Sequence, residues 1–273
     1  MKKLRPTLIA TTIALTALPL FSLAATQPAG STPATSGQGC NLQASLDKLG
    51  TIKNQEGKED VEFDIYHEVL TNVLVCSLSE IASFRDKLGA LENLNETDTN
   101  IQGAFIKDLE GYALYYKKIA GQLEKIKTVE DQKQLAGEIL NWRKENYSDR
   151  AKIIANFIFI FRGREAIEIT GMRIKKISIA LQGTGLLFRK ENWKDFNALL
   201  NEAQSHIANA QKLNTEAYNL FKNELNPSEL IEATKEETAK ISITDLLRAS
   251  LLEIRESYLN FSEIGKLVTK VSP

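Results

Sequence analysis

The sequence contains few of the residues that build catalytic and metal centres. Its 273 residues include two histidines, two cysteines and two tryptophans. Zinc sites need several ligands at close, repeated spacings, and Cys40 and Cys76 have no neighbouring histidine. The chain also lacks the Gly-x-Ser-x-Gly, His-Glu-x-x-His, Cys-x-x-Cys-His and paired Glu-x-x-His motifs, and it has no glycine-rich phosphate loop. These absences favour a non-enzymatic protein with no cofactor and no metal ion.

Long apolar runs are also absent beyond the first 25 residues, so we expect no transmembrane span in the mature chain. The exception is at the start, where three basic residues precede an apolar stretch at 8–23 that ends in small residues. That order is typical of a bacterial-type secretory signal peptide, cleaved after Ala24 or Ala25. Residues 1–25 therefore predict a periplasmic or secreted protein. An uncleaved membrane anchor is the alternative.

Large apolar side chains are missing from residues 26–39, which consist mainly of Thr, Gln, Pro, Ala, Gly and Ser. Such a segment cannot bury itself and is predicted to be a flexible linker. Residues 40–273 are predicted to form a helical bundle domain. The domain begins with a short amphipathic segment that carries Leu42, Leu46 and Leu49 at helical spacing.

Apolar residues spaced three, four and seven apart are the most abundant pattern in the chain. Besides a long third helix, rows of this kind predict helices at about 60–93, 97–128, 193–225 and 247–268. Thr97 or Thr99 is the predicted N-cap of the second helix. Residues 226–229, with the sequence Asn-Pro-Ser-Glu, predict the end of the fourth helix and a new helix start.

The third apolar row is the longest. Six residues lie on it at multiples of seven: Ile139, Ile153, Ile160, Ile167, Ile174 and Leu181. Only Asn146 interrupts the row and no proline breaks the segment, so one continuous helix is predicted from about Leu135 to Leu181. A strand at 156–161 is the alternative, because that stretch is rich in β-forming residues.

Small residues lie on the rows beside these isoleucines: Gly163, Thr170, Gly171 and Ser178. They predict the close approach of another helix, since each glycine otherwise costs about 1 kcal/mol in a helix interior. Together these patterns predict an all-α fold, an elongated antiparallel bundle of about five long helices with coiled-coil-like seams and one long central helix. Two layers of the bundle would share the helix at 135–181.

Charge is unevenly distributed along the chain. Residues 40–142 carry 11 basic and 18 acidic side chains, whereas residues 143–194 carry 12 basic and 5 acidic side chains. One interpretation is internal complementarity, with the basic third helix lying against the acidic first two. The other is an exposed basic strip that attracts an anionic surface such as phospholipid or lipopolysaccharide. Seven residues define this basic strip: Arg162, Arg164, Arg173, Lys175, Lys176, Arg189 and Lys190.

The two histidines lie on or beside apolar rows, and Glu202 lies one helical turn before His206. A haem or metal site at His67 or His206 is therefore an alternative function. Bundle metal sites need several converging ligands, however. We favour the interpretation that both histidines belong to helix seams, and that Tyr112, Tyr115, Tyr116 and the two tryptophans are core or seam residues.

These observations lead to a functional hypothesis. We expect an exported, non-enzymatic bundle that acts as a binding, adaptor or spacer module in the cell envelope or outside the cell. Its expected partner is an envelope protein or an anionic surface, and no nucleic acid is expected. The first alternative is a bundle that binds haem, a metal ion or another small ligand. The second is an enzyme whose site consists of scattered carboxylates.

The two cysteines are predicted to form a disulfide between Cys40 and Cys76, because export places thiols in an oxidising compartment. The bond would close a loop of about 36 residues and contribute roughly 3–4 kcal/mol to the free energy of unfolding. Peptide mapping of the exported protein without reductant tests this prediction, and one linked pair of peptides is the expected result. Two alkylatable thiols in that protein would contradict it.

Overall fold

The seven-residue spacing of apolar side chains produces long helices throughout the part of the chain that the computed structural model describes. That part comprises residues 59–184, 190–225 and 242–271, together with Asp47. Five helices lie in these three ranges: α1 (Glu59–Gly89), α2 (Glu96–Leu123), α3 (129–184), α4 (Lys190–Leu225) and α5 (Ile243–Val271). The same ranges contain no strand, so the all-α prediction is confirmed and the strand alternative at 156–161 is wrong.

Several predictions fall outside the described residues. They concern the signal peptide at 1–25, the linker at 26–39, the short leucine-containing segment at 42–49 and the helix start at 226–229. The domain boundaries likewise stay predictions.

Polar side chains at the helix starts fix where three of these helices begin. The amide of Asp98 donates to the side-chain oxygen of Asn95 at 2.9 Å, so Asn95 caps α2. The prediction of Thr97 or Thr99 as this cap is wrong, because both already lie inside the helix. Thr128 caps α3 and Ser242 caps α5 in the same way, each accepting from the amide three residues later at 3.1 Å.

Helix α3 is continuous but not uniform. It consists of an α-helical part at Val129–Trp142, a π-helical turn at Arg143–Tyr147 and a second α-helical part at Ser148–Thr184. The amide of Ser148 donates to the carbonyl of Arg143, five residues earlier. One long helix over 135–181 is therefore confirmed, and it begins about two turns earlier than predicted.

The π-helical turn explains why the isoleucine row is interrupted at Asn146. A π-helical turn places one extra residue in the helix, so the buried positions directly after it move forward by one. From Ile160 onward the original row is buried again. Ile139 is followed on the buried side by Tyr147 and Ile154 rather than by Asn146 and Ile153. Tyr147 is only 1% exposed, whereas Ile153 is half-buried.

Buried side chains form two clusters along α3. The first cluster joins α1, α2 and the part of α3 up to Phe161 with the end of α4 and the start of α5. The second cluster contains Ile167, Ile174 and Leu181 of α3, together with residues of the first half of α4 and the second half of α5. Both clusters therefore contain residues of α3.

Helices α4 and α5 pack closely because small residues line their contact. Ala203, Ala210 and Ala217 recur every seven residues on α4 and are fully buried. Opposite them, Ser250 and Ser257 of α5 donate hydrogen bonds to the carbonyl oxygens of Ala210 and Ala203, at 2.9 and 3.1 Å. Both buried hydroxyls thus have a hydrogen-bond acceptor, as buried polar groups usually do. The two hydrogen bonds also link α4 to α5.

A buried amide links α4 to the middle of α3. The side-chain nitrogen of Asn214, only 2% exposed, donates to the carbonyl oxygen of Ile160 at 3.1 Å. Gly163 leaves room for it, because a Cβ at that position would lie 2.6 Å from the same nitrogen. The predicted close approach at Gly163 is thus confirmed. At Gly171 it is wrong, since an added Cβ there would meet nothing within 4 Å.

Substituting Gly163→Ala is expected to lower the free energy of unfolding by about 1–2 kcal/mol. The new methyl group would push the Asn214 amide away from the carbonyl of Ile160 and leave a buried polar group unpaired, which costs about 1–3 kcal/mol. The better helix propensity of alanine offsets part of this loss of stability, by up to about 1 kcal/mol. Urea denaturation followed by circular dichroism measures the difference.

Gly171→Ala is the matched control, and it is expected to be neutral or stabilising by up to about 1 kcal/mol because only helix propensity changes there. In an Asn214→Ala background, Gly163→Ala should no longer destabilise the protein. A Gly163→Ala variant as stable as the parent would show that the Asn214 amide is not held against α3.

Candidate binding surface

The first half of α3 uses its cations to hold α1 and α2. Arg143 contacts Glu80 of α1 at 2.7 Å, and Arg150 contacts Asp108 of α2 at 2.7 Å. Lys133 contacts a carboxylate of α1 at 3.0 Å. Internal charge complementarity, one of the two interpretations of the uneven charge, therefore describes three of the five cations in this half of the helix.

Arg143 is the most enclosed of these cations. Besides Glu80, it donates to the hydroxyls of Ser77 and Tyr116 at 3.3 and 3.4 Å, and its guanidinium lies 4.7 Å from the ring centroid of Tyr147. Burial alone would lower the pKa of Arg143, but the Glu80 carboxylate and the Tyr116 hydroxyl outweigh this effect and the pKa is raised. Burial, followed by the charge of Glu80, raises the pKa of Tyr147 far above its ordinary value. Arg143 thus stays a cation and Tyr147 a neutral phenol.

The aromatic residues around Arg143 pack against each other. Tyr115 and Trp142 stack with ring centroids 3.6 Å apart, and Tyr112 meets the ring of Tyr147 edge-on at 5.3 Å. Tyr116 is fully buried. These contacts agree with the interpretation of Tyr112, Tyr115 and Tyr116 as core or seam residues.

The basic strip in the second half of α3 makes different contacts. Arg162 pairs with Glu165 of its own helix at 2.7 Å. Arg164 lies half-buried over the ring of Tyr218 of α4, 4.1 Å from the centroid, and Arg173 lies 5.1 Å from the ring centroid of Tyr258 of α5. Within the described ranges, none of these arginines pairs with a carboxylate of α1 or α2.

Lys175 and Lys176 are exposed, and neither forms an ion pair with any residue that the structure describes. Arg189 lies outside the described residues. Lys190 is the first residue of α4, but its side chain is not among those described. Arg162 is exposed but paired with Glu165. Of the seven predicted strip residues, Arg173, Lys175 and Lys176 therefore form the group that is exposed and has no ion pair with a described residue.

Three exposed apolar side chains lie on the same part of α3. Ile169 is 41% exposed, Met172 is 48% exposed and Ile179 is 69% exposed. The sequence analysis did not predict these residues, because they lie off the buried seven-residue row. Apolar residues at such positions are the sequence feature that could have indicated an exposed apolar surface. We call these three residues, together with Arg173, Lys175 and Lys176, the distal α3 surface.

Within the described ranges, neither histidine is surrounded by a set of metal ligands. His206 contacts Glu253 of α5 through its Nδ1 atom at 2.7 Å, whereas Glu202, one helical turn earlier, is exposed. His67 stacks on Phe63 with ring centroids 6.2 Å apart. Among the described residues, no group of three or more His, Cys, Asp or Glu side chains is placed to hold a metal ion.

Cys76 lies half-buried on α1. Cys40 lies outside the described residues, so the Cys40–Cys76 disulfide stays a prediction. No helix in the described ranges has an apolar stretch sufficient to cross a membrane.

Comparison of the chain with protein-family models, with curated proteins and with solved structures finds no match.

The contrast between the two halves of α3 predicts different costs for removing a carboxylate. Glu80→Gln is expected to lower the free energy of unfolding by about 1–2 kcal/mol, because Arg143, 26% exposed at its side chain, would lose its anion in a largely enclosed site. Glu165→Gln, which breaks an exposed pair within one helix, should cost no more than about 0.5 kcal/mol. Thermal and urea unfolding of both variants checks this. Equal costs would contradict the assignment of Arg143 as a structural cation.

Proposed function

We propose that the protein is an exported, non-enzymatic helical-bundle module that binds an anionic partner in the cell envelope through the distal α3 surface. The observation that carries the proposal is the exposure of Lys175 and Lys176 without a carboxylate partner in the described residues. The signal-peptide pattern of residues 1–25 supports export.

The partition of charge along α3 supports the choice of this surface. Three of the five cations of the first half are held by Glu80, Asp108 and Glu62, so their charges are largely neutralised within the fold. The other two, Lys144 and Lys152, are exposed and form no ion pair with a described residue. The cations of the distal α3 surface have no such partner in the described part of the chain. Their positive potential extends into solvent, where it attracts anions over about 8 Å at physiological ionic strength.

A salt-dependent binding measurement tests the proposal. Parent protein purified after export is titrated against fluorescent heparin, a soluble polyanion, and against vesicles containing phosphatidylglycerol. We expect binding at about 0.01 M salt that weakens strongly at about 0.15 M, because the screening length falls from about 30 Å to about 8 Å.

Reversing the charge of Lys175 and Lys176 to Glu should weaken this binding at least about a hundredfold at low salt. A basic side chain near an anionic surface contributes about 1 kcal/mol, and the reversal replaces two attractions with two repulsions. The matched control is Lys117→Glu with Lys118→Glu, because these two lysines are also adjacent and exposed, on α2. Both variants have the same net charge.

Equal losses in the two variants would show that only net charge matters and would contradict the assignment of the surface. Absence of binding by the parent to either anion at low salt would reject the proposed function itself. Adding Arg173→Glu extends the reversal, and circular dichroism verifies that each variant stays folded.

A further inference from the structure

We infer that the distal α3 surface binds the surface of a lipid bilayer that contains anionic phospholipid, with Ile169, Met172 and Ile179 entering the headgroup region. This inference rests on the proposed function and names the kind of anionic partner. It is carried by the combination of exposed apolar side chains and unpaired cations on one side of a single helix.

The spacing of these residues places them together. Ile169, Met172, Lys176 and Ile179 follow one another at steps of three, four and three, which keeps them on one side of an α-helix. The opposite side of the same segment is buried in the second core cluster through Ile167, Ile174 and Leu181. Within the described residues, the three exposed apolar side chains are therefore on the side of α3 that faces away from its own core.

Apolar side chains distinguish a bilayer from a hydrated polyanion. A polysaccharide or phosphate chain can bind the lysines and arginines through its charges. It has few apolar groups that could contact Ile169, Met172 or Ile179. A bilayer offers both, because apolar side chains of a helix at its surface are buried about 5–10 Å deep and nearby basic side chains are attracted to anionic lipids. The alkyl stems of Lys175 and Lys176 can follow them while their ammonium groups stay with the lipid phosphates.

The size of the patch favours a bilayer over a protein partner. A stable protein interface buries roughly 800 Å² on each side, and three partly exposed side chains supply well under that. A bilayer needs no matching shape, and electrostatic attraction to anionic headgroups adds to the apolar contribution.

Acidic residues near the patch do not cancel its charge. Residues 162–176 contain five basic and two acidic side chains. One of the two, Glu165, is already paired with Arg162 at 2.7 Å, and Glu168 is the other. The cations Arg173, Lys175 and Lys176 lie between Met172 and Ile179 in the chain, so the apolar side chains and the unpaired positive charge occupy the same stretch of α3.

The test replaces the apolar residues without changing charge. Ile169→Gln, Met172→Gln and Ile179→Gln are combined in one protein, since glutamine is a good helix former and all three positions are exposed. The matched control combines Leu252→Gln and Leu259→Gln on α5, which are 51% and 48% exposed. Parent and variants share the same N-terminus, so residues 1–39 affect all of them equally.

Each protein is titrated against phosphatidylcholine vesicles with and without phosphatidylglycerol, and against heparin. We expect the parent to bind the anionic vesicles, and the triple glutamine variant to bind them at least about tenfold more weakly, a difference of about 1.4 kcal/mol. Its heparin affinity should stay within about twofold of the parent. The Leu252 and Leu259 control should match the parent on both, and unfolding measurements verify that the variants are folded.

The remaining outcomes separate this inference from the proposed function. Binding to heparin without binding to anionic vesicles would overturn the bilayer inference, leave the proposed function standing and point to a hydrated polyanion or an acidic protein. An unchanged vesicle affinity in the triple variant, or an equal loss on vesicles and heparin, would also overturn it. Failure to bind either anion would reject the proposed function and the inference together.

Discussion

The extra residue in the π-helical turn of α3 determines which side of that helix faces each neighbour. Adjacent residues of an α-helix are rotated by about 100°, so without the extra residue every position after Tyr147 would be rotated by that amount relative to the first half. The side now buried would then carry Asn146 and Arg150 in place of Tyr147 and Ala151. The ion pair of Arg150 with Asp108 and the outward direction of the distal α3 surface both depend on this rotation.

Much of the fold was predictable because burial repeats at the helical period. The rows that contain Phe105, Leu109 and Tyr116 on α2, or Ile160, Ile167 and Ile174 on α3, are buried in the structure. The long third helix followed from the same rule together with the absence of proline. The interruption at Asn146 marked the site of the π-helical turn, but a single polar residue on a row does not distinguish an extra residue from a tolerated substitution.

Less of the candidate site was predictable, because it depends on which helices pack side by side. The partner of His206 is Glu253, 47 residues away on another helix, and no local spacing indicates it. Likewise, the total charge of residues 143–194 does not reveal that Arg143 and Arg150 are paired, while Lys175 and Lys176 have no ion pair with any described residue. Ile169, Met172 and Ile179 are exposed because α4 and α5 cover the opposite side of α3, and the sequence does not indicate which side that is.

The hydrogen bond from Asn214 to the carbonyl of Ile160 has a consequence for how α4 is aligned along α3. The buried rows of α4 repeat every seven residues, so a shift of about 10 Å along the helix axis would bring similar apolar side chains into contact again. Asn214 and Gly163 break this repetition, because a shifted helix would bury the amide without its acceptor. One polar group among many interchangeable apolar ones thereby selects a single axial register and excludes the sliding that a repetitive sequence would otherwise permit.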